Sequence, residues 1–519
     1  MDFLGRQPVR VGFWAVLLVG VLAWAPATYP GYWQGLDGFI PSFNIVHSSP
    51  IAGVATSADL WRGTGNAAFI LAQPLLLLGL TPTAAVRAVF VLCFVLGGLG
   101  IYAWLRPRFG DRTAGMAGVI YMFLPPVLAT VYVRGSLSDA MILALLPLAL
   151  AATAAYAGSG ALGVASLLVL SVLWMWRTQA GLALLATLVL LVYAAVVERH
   201  RLAVLAVGVA GAAGLVSLVP LRSIQGDTPV HFSDHFVAFY QLFARGWAVA
   251  PSIPGWQDQY PFQLGLVAVV FTVMAGWLIV TGYAPEPTVT RFRRDFWFAV
   301  GVTVVLVGLT LGWSQWLWTV THAQRLLTYP WQAMLPAMPF LALSAAMLVY
   351  TNPALRRAPV WPLLLTITVL GSYAYLTTDF TQVEPPARPP AVFGDANNLA
   401  LLQAELHEDR AAGQATLDVT WQTLQALPVD YNVFFQALTD PLHEPAVVAQ
   451  LDMPAAGAER PATTWRPGTI MQQSYTLSLP PVSETGEPLT YYFGYYDWRD
   501  GARLPVDGGI DDKLVFYGR

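Results

Sequence analysis

Between residues 11 and 378 the chain is a succession of apolar stretches, each about as long as a bilayer is thick, with arginines sorted between and beside them. Inside a bilayer no water is available to backbone N–H and C=O groups, so such stretches fold as helices. A window of about 20 residues places about eleven spans, at 11–28, 84–105, 113–132, 138–157, 161–177, 179–197, 202–221, 262–283, 295–313, 330–350 and 360–378. Composition agrees: 11% of the 519 residues are charged and 56% hydrophobic, whereas soluble domains carry roughly a quarter charged. The expected fold is an α-helical polytopic membrane protein.

The arginines orient it. Arg6 with Arg10, Arg106 with Arg108 and Arg112, Arg199 with Arg201, Arg291 with Arg293 and Arg294, and Arg356 with Arg357 form clusters between spans, as cytoplasmic loops do. Arg62, Arg87, Arg134, Arg177, Arg222, Arg245 and Arg325 stand alone, at the opposite ends of the spans. A solitary arginine near a span end is expensive to hold in the bilayer, so it either performs a task or snorkels to the surface. The N-terminus is therefore expected in the cytoplasm; residues 1–25 fit either a signal peptide or a retained anchor, and the family resemblance given below implies the anchor. The apolar segment 66–80 is only about 15 residues long and contains Gln73-Pro74. Counting it as a span would invert every later loop, so it is read as re-entrant or interfacial within a long external loop, 29–83. A second external loop, 222–261, is rich in aromatics.

Residues 379–394 hold Pro385, Pro386, Pro389 and Pro390 and read as a stiff linker. Beyond them, 395–519 alternates apolar and polar residues in runs separated by Pro, Gly and Asp. Strands are expected at Thr416–Trp421, Tyr431–Leu438, Val447–Leu451, Gln473–Leu479, Leu489–Tyr496 and Lys513–Tyr517, forming an all-β sandwich. An odd number of spans puts this domain outside the cytoplasm. Its aromatics Trp421, Trp465, Tyr495, Tyr496 and Trp498 belong to the core or stack on sugar rings.

Several classes are poorly supported. Lys513 is the single lysine and net charge is −3, so no basic stripe speaks for nucleic acid. There is no P-loop, dinucleotide fingerprint or Gly-x-Ser-x-Gly elbow. Cys93, the one cysteine, lies within a span and reads as packing.

Asp37 follows the first span in Pro30-Gly31-Tyr32-Trp33-Gln34-Gly35-Leu36-Asp37-Gly38-Phe39. The next outer turn reads Tyr132-Val133-Arg134-Gly135-Ser136-Leu137-Ser138-Asp139, and a later one Arg325-Leu326-Leu327-Thr328-Tyr329-Pro330-Trp331. In these segments the chain, over 1–378, resembles polytopic membrane glycosyltransferases of the GT-C fold, in particular the bacterial membrane proteins labelled as related to 6-pyruvoyl-tetrahydropterin synthase. The C-terminal part, with Leu417-Asp418-Val419-Thr420-Trp421 and Trp465-Arg466-Pro467-Gly468, resembles a β-sandwich appended to such enzymes. The resemblance implies transfer of a sugar from a polyprenyl-phosphate donor to an extracytoplasmic acceptor (glycan, lipid or protein) in cell-envelope assembly. It implies Asp37 as the general base and Arg134 and Arg325 as ligands of the donor phosphate. Asp139, His47, His322, His231, Asp234, His235 and Arg245 are candidate substrate contacts on the same side. His231 and His235 have i, i+4 spacing with Asp234 beside them, but no further ligand cluster accompanies them, so no metal is assigned. The first loop also lacks a paired Asp-x-Asp, and no cofactor is expected, a divalent metal being unfavoured. The rival reading is a non-catalytic envelope scaffold or a lipid-linked glycan transporter.

Overall fold

The computed structural model describes residues 10–29, 32–33, 66–217, 232–244, 246–248, 252, 255, 258–282, 289–377, 380–381, 389–394, 398–439, 446–457, 460–465, 469–479, 489–507 and 512–518. The chain divides into two compact units, one helical and one all-β.

Among the described residues of the helical unit, five helices are long and apolar enough to cross a membrane: Val11–Thr28, Thr83–Phe109, Leu137–Ser159, Ala180–Glu198 and Pro330–Thr351. A sixth span arises if Asp111–Met122 and Pro125–Tyr132, bent 43° apart, are one crossing. That is fewer than the eleven expected. Hydropathy windows run past helix ends, and several stretches emerge as shorter helices: Leu162–Thr178, Arg201–Ser217, Leu266–Val280 and Val360–Tyr375. At 17 residues, the longer of these reach about 25 Å, short of a hydrocarbon core of about 30 Å. Val289–Gly308 has the length but opens on Arg291, Arg293, Arg294 and Asp295. Segment 66–80 forms a 3₁₀ turn, Asn66–Ala72, continued by one α turn, Gln73–Leu77.

Pro330–Thr351 is the central element, with 94% of its apolar window buried. Around it the helices approach closely through small residues: Gly12 faces Gly115, and a Cβ on either would collide with opposing backbone. The sharp bend in the 111–132 segment lies at Phe123-Leu124-Pro125-Pro126. Leu124 is pushed to an extended conformation (φ −64°, ψ 130°) by the proline after it, and Pro125 starts a new helix.

The described arginines of the clustered kind meet at one end of the unit. Arg112 donates to the Arg356 carbonyl, Arg294 Nη2 to the Val197 carbonyl (2.9 Å), and Arg108 pairs with Glu198.

Apart from the two-residue strand Phe380–Thr381, the described strands of the β unit are β1 Ala391–Phe393, β2 Leu399–Asp409, β3 Gln414–Thr423, β4 Tyr431–Leu438, β5 Val447–Pro454, β6 Ile470–Ser478, β7 Thr490–Asp497, β8 Val506–Asp507 and β9 Leu514–Tyr517, and these nine make its two main sheets. They form two antiparallel sheets, ordered β8-β1-β2-β3-β6 and β9-β7-β4-β5. Both sheets feed one core, where Trp421 and Tyr495 meet edge to face (6.1 Å) and Tyr475 packs on Phe493 (5.4 Å). Trp421, Trp465 and Tyr495 are buried in it, which removes them as sugar-stacking platforms. Strand β1 falls within the stretch read as linker.

Candidate functional site

The turn between Tyr132 and Leu137 carries the first half of the site. Gly135 takes φ +68°, a conformation glycine adopts without penalty, and Ser136 caps the helix Leu137–Ser159 by accepting from the Asp139 amide (3.4 Å). This tight reversal brings two residues five apart in sequence into an ion pair, Arg134 Nη1 with Asp139 Oδ2. Asp139 is 1% exposed, so its charge needs partners. Beyond Arg134 it accepts from Gln332 Nε2 (2.8 Å).

Gln332 is fully buried and has a second task. Its Oε1 accepts from the backbone amides of Thr328 (3.2 Å) and Tyr329 (3.1 Å), groups that the first turn of the helix starting at Pro330 leaves without intrahelical partners. The same turn presents Tyr329 and Trp331, stacked 5.0 Å apart, and the Arg134 guanidinium lies 5.7 Å and 5.4 Å from their ring centres. Trp331 also stacks on Tyr260 (4.4 Å), and its buried indole N–H has no acceptor among the described residues.

The loop before Leu266 supplies the remaining wall. His235 is buried, meets Tyr329 edge to face (5.1 Å), and its Nδ1 lies 3.0 Å from Ser252 Oγ. Ser252 in turn donates to Asp258 Oδ2 (2.5 Å), whose other oxygen accepts from the Tyr260 amide (2.9 Å). Desolvation lowers the His235 pKa from its ordinary 6.5, against the upward pull of Asp258 and Asp234. The loop is pinned to the helices where the Val237 amide donates to the Thr310 carbonyl (2.9 Å).

An apolar groove of about 430 Å³ lies between the helices Ala180–Val192 and Val289–Gly308. Its walls include Leu185, Leu188, Val192, Trp297, Val305 and Leu309.

Of the residues singled out in the sequence, Arg134, Asp139 and His235 come together in this cluster. Asp234 is exposed, bonded to Ser233 Oγ (3.1 Å). His322 is exposed in a left-handed conformation (φ 54°) after the helix Gln315–Thr321 and makes no side-chain hydrogen bond among the described residues. The backbone of Arg325 lies in the 3₁₀ turn Ala323–Leu326, which packs on Ala180–Val192; its side chain, with Asp37, His47, His231 and Arg245, lies outside the described residues. Among the described residues, no group of three or more His, Cys, Asp or Glu side chains could hold a metal ion. Gln332, Tyr260, Ser252 and Asp258 were not read from the sequence. The available signal was an amide followed by an unbroken apolar helix, which has to be satisfied wherever it is buried.

No protein-family model matches the chain, and no curated protein does.

Proposed function

We propose that this chain is a GT-C-like membrane glycosyltransferase that moves a sugar from a polyprenyl phosphate to an acceptor hydroxyl outside the cytoplasm. The observation carrying this reading is the buried Arg134–Asp139–Gln332 unit, set against the aromatic faces of Tyr329 and Trp331. A polyprenyl phosphate needs an apolar channel for its tail beside a fixed cation for its phosphate. The groove fits the first need. Arg134 fits the second: Asp139 fixes its fork, and the indole N–H of Trp331 is a neighbouring donor without an acceptor among the described residues.

In the proposed reaction the acceptor oxygen attacks the anomeric carbon and its proton passes to Asp37. The bond from that carbon to the phosphate oxygen breaks, with the electron pair leaving on phosphate. A single displacement of this kind inverts the anomeric centre. A positioned base contributes about 10²–10⁴ in rate, and Arg134 with Arg325 would meet the charge developing on the leaving phosphate. Asp139 and Gln332 act through Arg134 and are positioning residues. The finer topology belongs to the same proposal: shorter helices completing about eleven spans, a cytoplasmic N-terminus and arginine-cluster end, and an extracytoplasmic sandwich.

One observation favours the rival. Arg134 is already paired and stacked, as in a purely structural anchor, which suits a scaffold or lipid-linked glycan transporter. Purified protein in lipid, assayed across a panel of polyprenyl-phosphate sugars, separates the two. Transfer that disappears in Asp37→Asn and falls in Arg134→Lys is the expected result. Absence of turnover with every donor, in folded protein, would favour the rival.

A further inference from the structure

A polar cavity lies in the β unit, beside β6, an edge strand of its sheet. It is a cleft of about 410 Å³, within the size range of small-ligand sites. Its lining combines a guanidinium (Arg460), two carboxamides (Gln472 and Gln473) and two hydroxyls (Thr464 and Thr469) over an apolar floor that includes Ile470 and Met471. Among the described residues, no acidic side chain lines it.

These polar groups are largely uncommitted. Among the described residues the side chains of Arg460, Gln472, Gln473 and Thr469 make no hydrogen bond or ion pair, while Thr464 Oγ1 donates to the Pro461 carbonyl (2.7 Å). Elsewhere on this domain comparable side chains pair off: Arg499 with Asp497, Arg410 with Glu408, Gln436 with Gln450. Asp430, a carboxylate that contacts this segment, is taken up by the amide and hydroxyl of Thr463 (2.9 and 2.7 Å). The backbone carrying Arg460 is held in place: its carbonyl accepts from the buried Trp465 indole (3.0 Å) and its amide donates to the Gly457 carbonyl (3.2 Å).

We infer that this cleft binds an acidic saccharide. An unpaired guanidinium calls for a carboxylate, which it can meet with two parallel hydrogen bonds. Carboxamides and hydroxyls each donate and accept, as sugar hydroxyls require. The apolar floor suits the C–H face of a pyranose. A neutral sugar would leave the guanidinium unanswered, and a simple anion would leave the amides and the floor unused. This inference does not depend on the transfer reaction, because binding is measured with no donor present.

The test uses the full chain in lipid nanodiscs, titrated calorimetrically with trigalacturonate and triglucuronate, their carboxyl-reduced counterparts and an acetylated tri-aspartate peptide. Binding of at least one uronate, weakened about tenfold or more in its reduced form and by Arg460→Gln, is expected. Gln472→Ala with Gln473→Ala should weaken acidic and reduced ligands alike. Because Arg460 is exposed, unchanged thermal unfolding of Arg460→Gln certifies the comparison. Failure of both uronates to bind would overturn the inference, as would binding indifferent to Arg460→Gln or matched by the peptide.

Discussion

The two ends of the helical unit each bury an arginine against a carboxylate, and they do so differently. At one end Arg108 reaches Glu198, the Tyr193 hydroxyl (3.1 Å) and Asp295 (3.7 Å), with Trp104 donating to the same hydroxyl (2.7 Å). Every partner comes from a helix or from the π turn Tyr193–Glu198, and two carboxylates answer the charge. At the other end the partners of Arg134 among the described residues are one carboxylate, shared with an amide, and two aromatic faces. Its surroundings come from turns, helix starts and a loop. The first arrangement clamps helices together. The second, on the proposed reading, sets a cation beside the Trp331 indole N–H, which has no acceptor among the described residues.

This contrast can be broken experimentally. The largest effect should follow Arg134→Lys, which keeps the charge but loses the fork: transfer falls by about 10²–10³, with little change in unfolding temperature, measured on the same preparation. Glu198→Leu should behave in reverse, destabilising by about 3–5 kcal/mol because Arg108 is left buried without its nearest carboxylate. Turnover per folded molecule should stay near wild type. Equal loss of activity in both variants would erase the distinction between the ends. Gln332→Leu removes the hydrogen bonds made by both atoms of one carboxamide, costing about 1–3 kcal/mol, and should lower transfer less than Arg134→Lys does. Gly135→Ala should cost about 1–2 kcal/mol, from the positive φ alone, and loosen the Arg134–Asp139 pairing.

The smallest effect is on pH dependence. His235 is held with a lowered pKa, so the unfolded chain takes up that proton first as pH falls. Its contribution to stability is therefore present above pH 6.5, the ordinary value, and is lost as pH falls through the folded pKa. His235→Phe should flatten that part of a stability–pH profile. A profile unchanged by the substitution would remove His235 from the wall of the site.

How much of this was legible depended on whether a signal was local. The long helices over 84–105 and 138–157 appear as Thr83–Phe109 and Leu137–Ser159, since uninterrupted apolar runs leave the backbone no alternative. The 113–132 stretch broke because Pro125-Pro126 outweighs hydropathy, a cue visible in the sequence but not used. Strand β4 matches its expected bounds, Tyr431–Leu438, while β2 was missed altogether. Its sequence, Leu-Ala-Leu-Leu-Gln-Ala-Glu-Leu-His-Glu-Asp, is rich in helix formers, and only pairing with β1 and β3 makes it a strand. The Arg134–Asp139 pair was readable because both residues flank one turn. The role of Gln332 was not: its carboxylate partner is 193 residues away.

Gln332 also bears on how this chain can vary. Glutamate would match its length but present oxygen where the Asp139 carboxylate needs a donor; asparagine is one carbon too short to serve both the Thr328–Tyr329 amides and that carboxylate. In a saturation library the neighbouring apolar positions should accept one another's residues. Position 332 should accept almost none, making an inconspicuous amide one of the least replaceable residues in the helical unit.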